Sequence, residues 1–253
     1  MSIVKFFACS SEVEPAGLFS VSHIIYIAIT LTVVATALSF TTALDHSKIK
    51  TIIKIFSIFL CSIEAIKIIF MLCTGHASDP NSYIPLYFCS IAMYASLLSA
   101  FAKNKAKRLG DVFLTTGGII GGLFFIIYPL TSMTLYPAFH FVTFQSYLFH
   151  GVMLYIGLLM LISGYCKLHI RDVCYHICIV VAMSAVALAV NMLLGSNLMF
   201  VSQNYPGTFI EILYNAFPSP WFTIIMIISQ ASLPFFLVYA VYKSVTKIRK
   251  KAE

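Results

Sequence analysis

"FSVSHIIYIAITLTVVATALSFTTALDHSKIK", residues 19–50, runs from Phe19 to Leu44 without an Asp, Glu, Lys or Arg and then breaks at Asp45, His46 and Lys48. A helix rising 1.5 Å per residue needs about 20 apolar residues to cross some 30 Å of hydrocarbon. This stretch is long enough and ends on a basic break, so it reads as a membrane-spanning helix. The pattern recurs along the chain, with spans expected at 18–42, 51–74, 83–102, 109–130, 139–165, 172–197 and 219–244. The breaks between them carry turn residues: "DHSK", "GHASDPNS", "KNKAKR", "TSMTLYPA", "CKLHIRD" and "SQNYPGTF…FPSP". Pro129 and Pro137 stand between spans four and five with no charge between them, which leaves either a re-entrant turn or a plain loop.

The whole composition agrees. The chain is 60% hydrophobic and 10% charged, against about 25% charged in soluble domains, and no stretch reads as an appended soluble domain. The expected architecture is all-α: residues 1–253 form one polytopic domain of seven transmembrane helices. Residues 1–17 are the external N-terminal segment and 245–253 a basic cytoplasmic tail. The first apolar run, Phe6 to Ala8, stops at Glu12 and Glu14, so an uncleaved first span is expected rather than an ordinary signal peptide.

Charge orients the bundle. Lys48, Lys50 and Lys54 fall on one side with Lys103, Lys105, Lys107, Arg108, Lys167 and Arg171. The run Lys243, Lys247, Arg249, Lys250, Lys251 joins them. The other side holds Lys5, opposed by Glu12, Glu14, Asp79 and Glu211. The positive-inside rule then puts the N-terminus outside and the C-terminus in the cytoplasm. A multi-pass protein of the plasma membrane, here a bacterial cytoplasmic membrane, is expected. Basic residues confined to short loops beside apolar runs also exclude a nucleic-acid partner. The seven cysteines form no CxxC pair; Cys61, Cys73, Cys166, Cys174 and Cys178 read as packing residues, and structural disulfides are not expected.

Polar groups inside a bilayer are costly and each asks for a partner or a task. With this orientation, His23, Glu64, Lys67, Cys89, His150 and Asn191 all fall in the outer half of the membrane, and Asn197 follows just beyond. The inner half is expected to hold almost none apart from its flanking charges, so the pattern implies one polar chamber open to the outer leaflet. Each residue also has a plain structural reading. A membrane cysteine most often packs as a small apolar group. Glu64 and Lys67, spaced i,i+3, neutralise each other. His150 reads as bonding a neighbouring carbonyl, and "FPSPW" as an interfacial anchor. Taken together, a thiol and an imidazole are a nucleophile and its base, with Asn191 or the Glu64/Lys67 pair as the stabilising donor. Pro85 is expected to kink span three one turn before Cys89.

The order "FSVSH" at 19–23, "IPLYFC" at 84–89, "FHG" at 149–151, "NMLLGSNLMF" at 191–200 and "FPSPW" at 217–221 resembles the YwaF-like integral membrane family, which includes the eukaryotic transmembrane protein 164. The resemblance covers nearly the whole chain. It implies a seven-helix fold and, for the eukaryotic member, phospholipid acyl transfer by a paired cysteine and histidine. By position these are Cys89 and His150. Tyr87 and Ser90 stand where bacterial relatives read His and Asp.

The first expectation is therefore an acyltransferase or transacylase. Its partners would be a membrane phospholipid as donor and a lyso-lipid or other hydroxyl as acceptor. A Cys89 thioester would be formed with His150 as general base, without cofactor or metal, and Asn191 or a backbone N–H near Cys89 would stabilise the oxyanion. The alternative is a transporter or small-molecule-binding bundle in which His23, Glu64, Lys67, His150, Asn191 and Asn197 line a polar chamber. A zinc site from His23, Cys89 and His150 is a third reading, without metal-ligand spacing to support it.

Overall fold

A computed structural model describes residues 6–252, with side chains described to residue 248. Lys5 and the last basic side chains of the expected tail lie outside the described residues. Among the described residues the regular elements are all helical. The long ones are α1 (Val21–Thr41), α2 (His46–Cys73), α3 (Ile91–Phe101), α4 (Asn104–Ile127), α5 (Phe141–Ile162), α6 (Val173–Leu194) and α7 (Trp221–Ala252). All but α3 are long and apolar enough to cross a membrane. Local chemistry sets their ends. The Ser20 hydroxyl accepts the N–H of His23 at 3.3 Å and caps α1. Gly195, at φ +66°, ends α6 in the left-handed conformation that glycine adopts at no steric cost.

The third segment differs from its expected form. Residues 83–102 do not make one kinked helix: only Ile91–Phe101 is helical. Ahead of it come a one-turn helix, Pro80–Tyr83, and an irregular stretch over 84–90. Pro85 supplies no N–H and pushes Ile84 into extended backbone. Irregular chain inside a bilayer must satisfy its polar groups against protein. Here Tyr94 donates its hydroxyl to the Pro85 carbonyl at 3.2 Å, and Ser90 N–H bonds Tyr87 C=O at 2.9 Å. Cys89 thus sits in a turn, two residues ahead of α3.

Helices α4 and α5 form the centre: 78% of the most apolar window of each is buried, against 11% for α1 and 28% for α2, α6 and α7. The outer helices therefore present most of their surface to lipid. Glycine lets the central elements close up. A Cβ on Gly110 would stand 2.6 Å from the Ser99 nitrogen of α3, and one on Gly157 of α5 would meet the backbone of Leu114. Leu114–Gly118 forms a π-type turn within α4, where Thr115 and Thr116 donate to the carbonyls of Asp111 and Val112. The stretch between Pro129 and Pro137 is a loop of turns, with Leu130, Met133 and Tyr136 buried in it.

One expectation is corrected outright. The half of the bundle beside the basic loops is not poor in polar groups. Asp111 is buried and accepts from Ser99 at 2.6 Å and Lys107 at 2.5 Å. Asp172 pairs with both Nε and Nη2 of Arg108. His176 of α6 is fully buried: one ring nitrogen meets Thr116 Oγ1 at 2.9 Å, and the other meets the Gln230 carbonyl at 3.3 Å. That carbonyl lacks its helical partner because the residue four places on is Pro234. Asp111 and His176 lie inside apolar runs, so hydropathy averages conceal them.

Candidate functional site

The turn that carries Cys89 is held from both sides. Behind it, the thiol points to the Gly121 carbonyl of α4 at 3.8 Å. Over it folds the loop 195–204. Tyr87 packs its ring on Phe200 at 5.2 Å. The Asn197 N–H donates to the Asn81 side chain at 2.7 Å, tying the loop to the one-turn helix. Gln230 and Thr223 of α7 donate to the carbonyls of Met199 and Val201. Met199 and Phe200 are both held at positive φ, 57° and 54°, a strain that non-glycine residues bear only where tertiary contacts impose it.

His150 lies on the neighbouring face of the same α4 segment. Its ring stacks on Phe125 with centroids 3.6 Å apart and planes 9° from parallel. Nδ1 bonds the Ser146 carbonyl at 2.7 Å. A carbonyl only accepts, so Nδ1 carries the proton and Nε2 keeps its lone pair. Among the described residues Nε2 has no hydrogen-bond partner. Gly121 and Phe125 are four residues apart on one side of α4, about 6 Å along the axis. Met153, one turn beyond His150, reaches the same Gly121 surface as the Cys89 sulfur. The thiol and the imidazole therefore pack against the same stretch of α4, and no hydrogen bond joins them.

The other expected residues are engaged elsewhere. His23 accepts the Phe19 N–H at 2.8 Å on Nδ1, which fixes the start of α1, and meets the Ile126 carbonyl at 3.2 Å through Nε2, which pins α1 to the end of α4. Asn191 uses its amide fully: Oδ1 accepts from Ser196 and the Leu198 N–H, and Nδ2 donates to Leu198 C=O and Ser202. Asn197 closes the same loop through Ser202 and Gln203. These two asparagines shape the cover over the Cys89 turn; Asn191 has no donor to spare, while Asn197 uses one of its two Nδ2 hydrogens, on the Gln203 carbonyl. Glu64 and Lys67 form an ion pair at 2.7 Å. Gln145 extends it, donating to Glu64 at 3.3 Å from a position one residue before Ser146. Gln145 escaped the sequence reading, although a glutamine inside an apolar span, five residues from His150, was its available signal. Among the described residues no three His, Cys, Asp or Glu side chains converge as a metal site would require.

A sequence profile of the TMEM164 family matches residues 18–240, from just ahead of α1 deep into α7. The chain belongs to the TMEM164 family. No curated protein and no solved structure matches it. Within this TMEM164-family chain, the "NMLLGSNLMF" stretch owes its unusual composition to the loop it builds. Its asparagines satisfy that loop, its glycine ends α6, and its Phe200 covers Tyr87.

Proposed function

We propose that this membrane protein is a lipid acyltransferase or transacylase whose nucleophile is Cys89. The reading is supported by the thiol's position on an irregular turn ahead of a half-length helix, against the same stretch of α4 as an imidazole whose Nε2 lone pair is unengaged. Broken helices inside membranes occur where the backbone lines a working cavity. The positive end of α3 favours negative charge near the turn. His150 Nε2 accepts the thiol proton, and the sulfur attacks the acyl carbonyl of a phospholipid. The leaving lyso-lipid oxygen takes that proton back, leaving a thioester. A lyso-lipid or other hydroxyl then attacks the thioester, restoring the thiol and forming the new ester. With Asn191 committed, the oxyanion falls to backbone donors beside Cys89, where the N–H of Phe88 has no partner among the described residues. Proton transfer requires Nε2 to come within hydrogen-bond reach of the sulfur, directly or through one water, a closure that often accompanies substrate binding. In the bilayer, α3 completes seven crossings, with the N-terminus outside and the basic loops in the cytoplasm, in a plasma or bacterial cytoplasmic membrane.

The test is intact mass of the purified protein after incubation with phospholipid vesicles, with lyso-lipid measured in the same samples. An acyl adduct removed by hydroxylamine and absent in Cys89→Ala and His150→Ala is the expected result. Lyso-lipid formation unchanged in Cys89→Ala, or no adduct and no lyso-lipid at all, overturns it in favour of a binding or transport role.

A further inference from the structure

A groove on the lipid side of the bundle takes no part in the thiol chemistry. It runs between α1, α2 and α5, bounded by Tyr26, Ile29, Val33, Phe56, Gly151 and Tyr155, and encloses about 430 Å3. Its outer wall is open: Ile29 and Val33 are 58% and 61% exposed, facing bilayer hydrocarbon. Its surface is apolar almost throughout. The tyrosine hydroxyls around it are turned to other partners: Tyr26 donates to Ala138 C=O at 2.8 Å, Tyr147 reaches Met133 Sδ at 3.7 Å, and Tyr155 donates to Thr41 at 3.1 Å. Thr30 turns its methyl toward Gly151.

We propose that this groove binds one acyl chain of a bilayer phospholipid. Apolar cavities of about 150 Å3 stay dry and take up a small hydrocarbon such as benzene. This one is nearly three times that size and opens to a medium made of chains. Left empty, its walls lose their dispersion contacts on one side. From Phe144 to Tyr155 the floor spans twelve residues of α5, about 16 Å, or half of the ~30 Å hydrocarbon thickness, the reach of a chain from one leaflet. A second copy's helix does not fit: at 10 Å diameter and 16 Å length it needs roughly 1,300 Å3. With the tyrosines engaged, nothing in the groove holds a polar head, which stays at the bilayer surface. His150 points away, to Phe125, so the site stands independently of the acyl-transfer reading.

The full-length protein, reconstituted in phosphatidylethanolamine/phosphatidylglycerol vesicles, is irradiated with a phosphatidylcholine bearing a diazirine in one chain. Peptides covering 26–37 and 144–155 should carry several-fold more label than the lipid-facing peptides of α6 and α7. Val33→Trp and Ile29→Trp, each filling the groove from an exposed position, should reduce that excess several-fold while leaving α6 and α7 labelling and the thermal midpoint unchanged. Excess free fatty acid, which offers the same chain, should lower that excess. Even labelling of all lipid-facing helices, indifference to both tryptophans, or a cross-linked dimer joined through 26–37 would each overturn the assignment. If both variants unfold, the wild-type labelling ratio alone decides it.

Discussion

The sulfur of Cys89 rests on the backbone of Gly121, directed at its carbonyl oxygen from 3.8 Å. A Cβ at Gly121 would lie 3.5 Å from that sulfur and from Met153 Cε, an ordinary contact distance. Gly121→Ala should therefore leave the thermal midpoint and the alkylation rate of Cys89 by a membrane-permeant maleimide near wild type. Gly121→Leu, which must displace the thiol or Met153, should slow that alkylation several-fold and cost about 1–3 kcal/mol through overpacking. Time-resolved intact mass in a chain with Cys89 as its sole cysteine measures the first, and thermal unfolding in detergent the second.

The α3–α4 hairpin closes at Gly110, where any Cβ collides with backbone rather than with a pliable side chain. Gly110→Ala should destabilise by about 1–3 kcal/mol. Gly118→Ala, whose nearest neighbour would be 3.6 Å away, should be neutral or slightly stabilising, since alanine is the better helix former. Paired melting curves of the two variants check the contrast.

Asn191 separates a structural from a catalytic role. Its four hydrogen bonds hold the loop over the Cys89 turn. Asn191→Ala should lower the melting temperature and expose 195–204 to proteolysis, because each orphaned buried partner costs about 1–3 kcal/mol. A loss of turnover with stability and proteolysis unchanged would mean instead that the side chain acts on substrate.

Arg108 and Asp172 lock the start of α4 to the start of α6, the carboxylate also accepting the His169 N–H at 2.7 Å. With Arg108 only 26% exposed, Asp172→Ala strands a largely buried guanidinium and should cost about 2–4 kcal/mol, somewhat under the figure for a fully buried pair. Removing both charges with Arg108→Met and Asp172→Leu should restore much of the loss. A double-mutant cycle by thermal unfolding measures it.

Outside the spans, Cys9 lies 3.8 Å from His76 Nε2. Hydrogen bonds from the side chain and then the backbone of Ser11 hold its thiol below the usual cysteine pKa. A lowered pKa means more thiolate at any pH beneath the ordinary value. Cys9 should outpace a model thiol in alkylation near pH 7, and the advantage should grow as pH falls toward its own pKa. An impermeant maleimide applied to intact cells should label it if the N-terminus is external; protection until permeabilisation would reverse the proposed orientation.

Much of this was legible in the residues, and what was not has definite causes. Six of the expected spans appear as long apolar helices because the hydrocarbon requirement acts on each segment separately. The third failed as a continuous helix because hydropathy reads composition, whereas Pro85 and the contacts of Tyr87 and Tyr94 decide where helical hydrogen bonding begins. Asp111 and His176 were missed for the same reason: one charge or imidazole among many apolar neighbours barely shifts a segment's average.

The sequence by itself determined a helical membrane protein, its basic loops and its family. Each of these follows from local composition, spacing or a motif order. Only the tertiary structure decided which polar groups are already occupied. His23 is bound to a carbonyl 103 residues away, and Asn197 to a side chain 116 residues away. Hydrogen bonds saturate their donors and acceptors, so a residue's freedom to act depends on partners that chain order does not reveal.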